Sequence, residues 1–187
     1  MFALAGITFW TFFARAVTLG SDSLVENAAL LTKIYCPRLL IPVSTIVSAF
    51  VDLLLSTLLL LAVAALYDYY PTWRLLLLMP VLLLGIALVA GVTFLFSAIN
   101  VRFRDIRQGL PFLVMLLLFV SPVAYPLDNP VFALNPLTGV IDSFRWCFLA
   151  TPVSGASLVL SVGITLLLLV VGTAYFTRAE RTFADVA

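Results

Sequence analysis

The feature that most constrains this chain is its series of long apolar stretches. Hydrophobic residues fill 64% of the 187 positions, whereas ordinary globular proteins contain about 45–50%. The stretches approach the roughly 20 residues that a helix needs to cross the hydrocarbon core of a bilayer. Most charged residues lie in the short connections between them. The sequence therefore predicts an all-α integral membrane protein.

Five apolar stretches have about the length and hydropathy that a membrane-spanning helix requires. The first contains Arg15 and is expected to continue as a helix toward Asn27, and the second contains Asp52. The third has no charged residue. Five transmembrane helices are therefore predicted, over Phe2–Leu19, Leu39–Tyr67, Leu75–Ile99, Leu110–Tyr125 and Val159–Phe176.

The positive charges predict which connections face the cytoplasm. Seven of the ten Lys and Arg residues form three clusters, which occupy every second connection. Basic residues near span ends are retained in the cytoplasm, so Asp68–Arg74 and Asp128–Pro152 are expected outside. Met1 then also lies outside, which leads us to expect that a cytoplasmic start and one more span precede it; alternatively, Phe2–Leu19 is the first span and enters from outside unaided. The clusters are Lys33 with Arg38, Arg102 with Arg104 and Arg107, and Arg178 with Arg181.

The residue types present exclude several classes of chemistry. The chain has no histidine, so imidazole metal sites and nucleophile–histidine pairs cannot form. The sequence also contains no phosphate-binding glycine-rich loop, no paired carboxylates and no cluster with metal-ligand spacing. Cys36 and Cys147 lie at opposite predicted boundaries, beyond disulfide reach, and are expected to be small buried residues. An energy source for transport would therefore lie on another chain.

The outer connection over residues 126–152 combines four prolines with several aromatic residues. Its dipeptide Asn135–Pro136 is typical of a helix start, with Asn as the cap and Pro at the first helical position. In the helix predicted over Leu137–Leu149, Asp142 and Arg145 share a face because they are three residues apart. Trp and other aromatic residues favour the membrane interface, so we expect this helix there, as a structural lid or as an outer gate.

Two inner connections are candidate contacts to a soluble partner. Residues 27–37 predict a short amphipathic helix between Asn27, a helix-capping residue, and Pro37, a helix-stopping one. Its apolar side chains could rest on lipid headgroups or dock into a groove of another protein. Residues 100–107 are strongly basic, for which anchoring on the inner side is a sufficient explanation, but Asp105 among the arginines indicates a local ion pair.

A polar stripe runs along the second predicted span. Its residues recur at every fourth position and therefore lie on one face of the helix. An acid at this depth is costly and must face protein or water, and Arg15 in the first span is a candidate partner for it. Both close helix packing through serines and the lining of a transport pathway stay open. The polar stripe consists of Ser44, Ser48, Asp52 and Ser56.

Aromatic residues crowd the outer half of the first predicted span. An aromatic belt at the membrane interface is the ordinary explanation. The alternative is a lining on which sugar rings slide by stacking, without tight hydrogen bonds that would trap a polymer. The residues are Phe9, Trp10, Phe12 and Phe13.

Seven short segments, spread over essentially the whole chain, carry a family resemblance through their order and spacing. They are Gly6–Phe13, Leu31–Pro42, Val101–Ile106, Ser121–Pro126, Leu134–Leu137, Phe144–Arg145 and Glu180–Asp185. Together they resemble the permease subunit of bacterial ATP-binding-cassette polysaccharide exporters, the type-2 exporter family that moves O-antigen, capsule or teichoic acid chains. Such permeases begin with a cytoplasmic interfacial helix and one further span, six spans in all. This chain departs from them in lacking both, and Cys36 stands where Phe is common.

The resemblance implies a working unit of two permeases and two ATPase subunits, with the glycan passing between the permeases. It implies that the helix at 27–37 transmits motion from the ATPase subunit and that short helices within 126–152 gate the outer exit. The ATPase contacts are assigned to Leu30, Lys33, Ile34, Tyr35, Pro37, Arg38, Arg102, Arg104 and Asp105. The substrate pathway is assigned to Phe9, Trp10, Phe13, Ser48, Asp52, Tyr125 and Trp146.

The predicted protein is thus one transmembrane permease domain, residues 1–187, in the bacterial cytoplasmic (inner) membrane, and a transport subunit rather than an enzyme. This chain is expected to bind no cofactor, metal or nucleic acid, while ATP and Mg²⁺ belong to the nucleotide-binding partner. Its other expected partners are a second copy of the permease, a lipid-linked glycan and membrane lipid. Export of a drug or lipid is the alternative function, and a stand-alone membrane enzyme or ion-coupled carrier that uses Asp52 and Arg15 is the third.

Overall fold

The computed structural model describes residues 1–27, 37–67, 73–125, 132 and 134–183. Within these ranges every regular element is helical, which confirms the predicted all-α fold. A 3-10 turn over Trp73–Leu77 leads directly into the third α-helix. The α-helices are α1 (Phe2–Glu26), α2 (Leu40–Leu66), α3 (Leu78–Arg102), α4 (Arg104–Val120), α5 (Pro136–Leu149) and α6 (Gly155–Phe183).

Four segments of the described residues are long and apolar enough to cross a membrane. They are α1, α2, the continuous Trp73–Arg102 segment that ends in α3, and most of α6. The remaining predicted span corresponds to α4, which has 17 residues and is therefore about 26 Å long, shorter than the roughly 30 Å hydrocarbon core. The protein is multi-pass, and the predicted count of five spans is not confirmed by helix length.

The predicted boundaries hold for the first two spans and differ for the last two. α1 continues to Glu26, as expected. α4 begins at Arg104 instead of Leu110, because the extended backbone of Phe103 ends α3 and the next helix starts at once. α6 extends beyond the predicted Val159–Phe176 in both directions. Hydropathy marks the apolar part of a helix, whereas the helical backbone continues into polar residues.

α1 lies inside the bundle and contacts α2, α3, α4 and α5, while α3 contacts all five other α-helices. The aromatic side chains of α1 from Phe9 to Phe13 are buried, with Phe9 fully enclosed and Trp10 only 7% exposed. The Phe9 ring lies 5.7 Å from that of Phe144 in α5, between centroids. These side chains fill the protein core, which does not fit an aromatic belt at the membrane interface. The substrate-pathway roles predicted for Phe9, Trp10 and Phe13 stay predictions.

α3 and α6 approach each other closely through glycines. A Cβ atom on Gly91 would lie 2.7 Å from the backbone carbon of Leu168, and one on Gly172 would collide with the carbonyl oxygen of Gly91. α6 also packs on α5, where the Ser161 hydroxyl accepts a hydrogen bond of 3.1 Å from the Gly139 N–H. Small residues thus fix the position of α6 against the rest of the bundle.

Candidate functional site

One end of the bundle, which we name the basic end, gathers the starts of α2 and α4 and the ends of α1, α3 and α6. The Arg107 guanidinium of α4 forms ion pairs with two acids of α1, at 2.9 Å to Glu26 Oε1 and 3.3 Å to Asp22 Oδ1. Asn100 of α3 donates to the same Asp22 oxygen and to the Ser21 carbonyl, each at 3.2 Å. These contacts form the inner network, which joins three helix ends.

A second contact brings the remaining helix ends together. Arg38, just before α2, donates from Nη1 to the Glu180 carbonyl of α6 at 3.1 Å. Arg38 and Arg107 belong to two of the basic clusters, and Glu180 lies within the third. The prediction that the three clusters share one side of the bundle therefore agrees with the structure.

The predicted ATPase contacts are only partly visible at this end. Leu30, Lys33, Ile34 and Tyr35 lie outside the described residues, as do most of the helix predicted over 27–37 and the side chain of Arg104. Pro37 is exposed, and Arg102 lies over the Phe103 ring at 5.5 Å. Two expectations are corrected. Asn27 ends α1, where its side chain donates to Ser23 O at 2.8 Å, and Asp105 is exposed while the acids that pair with Arg107 come from α1.

The opposite end, which we name the aromatic end, is organised by one buried cation. The Arg145 side chain of α5 is fully buried. Its Nε donates to the Phe2 carbonyl at 3.1 Å, its Nη1 lies 3.3 Å from Asp142 Oδ1, and its Nη2 donates to the Val123 carbonyl. The guanidinium also stacks 3.7 Å above the centroid of the Phe2 ring. This Arg145 clamp joins α5 to the first turn of α1 and to the turn that follows α4.

The clamp depends on a glycine in α1. A Cβ atom on Gly6 would collide with both Arg145 Nη2 and the Val123 carbonyl oxygen. Burial raises the pKa of Asp142 and lowers that of Arg145, and the ion pair between them opposes both shifts. Burial also raises the pKa of the Cys147 thiol to about 11. The clamp holds the first turns of α1 against α5.

The local structure of α5 confirms the prediction made for the outer connection. Asn135 caps the helix, because its side-chain oxygen accepts from the Leu137 N–H at 3.1 Å, and Pro136 takes the first helical position. The side-chain amide nitrogen of Asn135 donates to Ser121 Oγ at 2.9 Å and so ties the cap to the turn after α4. Ala150 ends the helix in the left-handed conformation, with φ of 57°.

Two residues assigned to the substrate pathway lie at the aromatic end. The Trp146 ring packs edge-to-face on Trp73, 6.1 Å between centroids, and Arg74 lies 5.4 Å above it. Tyr125 is exposed, and its hydroxyl donates to the Phe119 carbonyl. Trp146 therefore joins α5 to the start of the third span, and Tyr125 presents its ring at the surface.

Between the two ends, the polar stripe of α2 faces outward from the bundle. Ser48 is exposed, and Asp52 forms an ion pair with Arg15 of α1, with 2.6 Å between Oδ2 and Nη1. This confirms the predicted pairing. The side chains of Arg15 and Asp52 remain 52% and 44% exposed. Apart from the Asp52–Arg15 pair, the stripe does not pack against another of the described helices.

The first 149 residues, from α1 through α5, match the ABC-2 type transporter family. The chain belongs to this family. An ABC-2 transporter subunit is a transport protein and not an enzyme, and it works with an ATP-hydrolysing partner. The third reading of the sequence, a stand-alone enzyme or ion-coupled carrier, is thereby excluded.

Named relatives resemble this ABC-2 transporter over its whole length. The O-antigen export system permease protein RfbA of Myxococcus xanthus is 28% identical over 98% of this chain and 74% of its own length. Two proteins of the same name from Klebsiella pneumoniae are 25% and 24% identical, across the full chain and 74% of their own lengths.

Sequence reasoning missed three residues that organise the two ends of this ABC-2 transporter. Arg145 was predicted to share a helix face with Asp142, and Arg107 was predicted to belong to a basic cluster. The contacts of both residues with α1 were not predicted. Gly6 carried no signal of its own. One sign could have pointed to Arg145, since it is an isolated basic residue in a connection predicted to lie outside.

Proposed function

We propose that this chain is the permease subunit of an exporter that moves a lipid-linked polysaccharide across the bacterial cytoplasmic membrane, driven by ATP hydrolysis on a partner subunit. The observation that carries the proposal is the similarity, across 98–100% of the chain, to permeases named for O-antigen export. The polar, half-exposed Arg15–Asp52 pair adds support, because a membrane surface that carries charge is suited to a hydrophilic cargo.

The test is deletion of the coding gene in its source bacterium, followed by measurement of polysaccharide at the cell surface and of lipid-linked glycan inside. The expected result is loss at the surface with accumulation inside, restored by the intact gene. Inactivating the ATP-binding lysine of the partner ATPase should give the same phenotype. Unchanged surface glycan with altered drug resistance or lipid distribution would favour a drug or lipid cargo instead.

We also propose that α4 completes a fifth crossing. Arg107 near its start pairs with α1 at the basic end, whereas Val123 just after it accepts from Arg145 at the aromatic end. The turn after the helix supplies the length that the helix lacks. Cysteines placed at the exposed positions Gln108 and Ala124 should then react with impermeant reagents from opposite sides of the membrane, with Gln108 on the cytoplasmic side.

The ATPase subunit is proposed to dock at the basic end. The supporting observation is that the inner network ties the end of α1, which directly precedes residues 28–36, to α3 and α4. Motion applied to that segment would reach three helices at once. Cysteines at Lys33, Tyr35 and Arg38 should cross-link to the ATPase in the intact complex, and a failure of all three would contradict the docking.

Two copies of the permease are proposed to enclose the pathway. α4 presents several large exposed apolar side chains on the outside of the bundle, among them Phe112, Met115 and Phe119. Exposed apolar side chains within a membrane meet lipid or another helix, and α4 differs from α6 in presenting Phe and Met, residue types enriched at protein interfaces. Disulfide cross-linking of a Phe112→Cys variant should give a covalent dimer. A matched Leu167→Cys variant on α6 should not.

A further inference from the structure

The Arg15–Asp52 ion pair lies in an unusual place. Arg15 is near the middle of α1 and Asp52 near the middle of α2, so both lie at the depth of the hydrocarbon core. Both side chains are about half exposed on the outside of the bundle. Charged side chains at this depth almost always face protein or water rather than lipid tails. In the assembled transporter this surface therefore meets water, a polar ligand or another protein surface.

Three further hydroxyl groups lie beside the pair. Thr8 and Thr11 of α1 and Ser56 of α2 line a recess of about 300 Å³ together with the pair and four apolar residues. Exposed serines continue the polar surface along α2 toward the basic end, so that it extends for about 18 Å, twelve residues at 1.5 Å each. We name this surface the polar face. It consists of Thr8, Thr11, Arg15, Ser44, Ser48, Asp52 and Ser56.

The rest of the same helix shows how selective this placement is. The side chains of Val47, Leu54 and Leu58 on α2 are exposed and apolar, as are Leu167 and Val170 on α6. Those surfaces suit lipid. The polar face is thus a narrow hydrophilic strip beside lipid-facing surface, within one helix pair.

The chemistry of the polar face matches an uncharged ligand rich in hydroxyl groups. The Thr8 and Thr11 hydroxyls donate to the carbonyls of Leu4 and Ile7 at 2.8 Å each, which leaves their oxygens as acceptors. Arg15 supplies N–H donors and Asp52 supplies acceptor oxygens, which together recognise groups that both donate and accept. Because the pair has no net charge, a polyanion gains little from Arg15 and is repelled by Asp52.

We propose that the polar face is the surface along which the exported glycan moves, and that the Arg15–Asp52 pair makes it selective for a neutral, polyhydroxylated chain. This rests on the proposed function and adds to it the chemical class of the cargo. The shallow recess holds a short part of a chain at a time, and repeated hydroxyl contacts along the face let the polymer advance without one tight binding site.

The first test asks whether the polar face is wet. In a background with Cys36→Ser and Cys147→Ser, the transporter with its ATPase is placed in lipid nanodiscs, which expose both membrane sides. Ser48→Cys and Ser56→Cys should react with charged methanethiosulfonate reagents at least tenfold faster than the matched lipid-facing variants Val47→Cys and Leu58→Cys, since a thiol in lipid does not ionise. Equal, slow reaction at all four positions would overturn the proposal.

The second test uses the charge of the pair. With the cysteine at Ser48, Arg15→Gln leaves Asp52 alone and should raise the rate ratio of the cationic to the anionic reagent severalfold. Asp52→Asn should lower that ratio, and the double variant should restore it to the starting value. A ratio that ignores both substitutions would contradict a role of the pair in charge selection. All of these variants change solvent-facing groups, and size-exclusion chromatography verifies that each remains folded.

The third test uses maltoheptaose and sulfated maltoheptaose as probes at millimolar concentration. Maltoheptaose should slow labelling at Ser48 and Ser56, the sulfated form should not, and Asp52→Asn should reduce this difference. Protection by neither probe, or by both equally, would overturn the assignment of a neutral glycan. These outcomes are independent of the gene-deletion phenotype, so glycan export with an unreactive polar face would refute this inference and leave the proposed function standing.

Discussion

Two arginines hold the two ends of the bundle together by different means. Arg145 at the aromatic end is fully buried and takes two backbone carbonyls and one carboxylate as its partners. Arg107 at the basic end is 34% exposed and pairs with Asp22 and Glu26, side chains that can turn away. The first is a fixed joint, whereas the second is a set of exchangeable ion pairs. The difference fits the proposal that the ATPase docks at the basic end, because ion pairs between exposed side chains can rearrange when the helices move.

The free energies expected for the two arginines differ accordingly. Removing one partner of a buried charged group typically costs about 3–5 kcal/mol, because the other partner is left unpaired. An exposed ion pair contributes about 0.2–1 kcal/mol and is screened by salt. The comparison predicts a rigid aromatic end and an adjustable basic end, and four experiments test this difference.

The largest effect is expected from Arg145→Met. The substitution leaves the Phe2 and Val123 carbonyls without their donor and Asp142 without its counter-ion, and should lower the free energy of unfolding by about 3–5 kcal/mol. Thermal unfolding of the detergent-purified protein measures it. Arg74→Met at the same end removes only a cation–π contact with Trp146 and should cost about 1 kcal/mol or less. Equal losses for both variants would contradict the clamp.

The next effect comes from crowding the clamp without removing it. Gly6→Ala places a methyl group against Arg145 and the Val123 carbonyl and should destabilise the protein by about 1–3 kcal/mol. Gly109→Ala in α4 is the matched control, because no atom lies within 4 Å of the added Cβ. It should be neutral or slightly stabilising, since Ala favours a helix over Gly. The same measurement serves both variants.

A smaller effect is expected at the basic end. A double-mutant cycle of Arg107→Gln and Glu26→Gln should give a coupling energy of about 0.2–1 kcal/mol, which vanishes at 1 M salt, where the Debye length is about 3 Å. Salt should leave the loss caused by Arg145→Met unchanged. A coupling above about 2 kcal/mol that survives high salt would make both ends fixed joints and remove the distinction.

The smallest effect is the labelling of Cys147 in the native protein. The thiol is buried and its pKa is raised to about 11, so at pH 7.5 it is almost entirely protonated and unreactive. In a Cys36→Ser background, maleimide should label it only after denaturation or as the pH approaches 11. Arg145→Met should accelerate labelling by loosening α5. Rapid labelling of the parent protein at neutral pH would refute the rigid aromatic end.

Much of the fold could be read from short stretches of sequence. The apolar stretches predicted α1, α2 and α3, because the length of a span is set by the thickness of the bilayer. The start of α5 at Asn135–Pro136 was equally local, since a cap needs only its own first turn. The pairing of Arg15 with Asp52 followed from their similar depth in adjacent spans.

The predictions that failed depended on which faces of the helices meet. The aromatic residues of α1 are placed by neighbours on α2 and α5, which no pattern within α1 reveals. The polar stripe of α2 could equally have packed inside the bundle, and only the assembled helices leave it exposed. Asp105 was expected to pair with a neighbouring arginine. Arg107 instead pairs with Asp22 and Glu26 of α1, which are distant in sequence.

The amino-acid sequence alone establishes that this chain is helical, crosses the membrane repeatedly and carries most of its basic residues at one end, because hydropathy and capping act over one helix at a time. Tertiary structure alone decided that Phe9 is core, that Arg145 is a buried clamp and that Arg15 and Asp52 face outward. Each of these depends on free energies of contact between segments far apart in the chain, and those contacts exist only once the helices have packed.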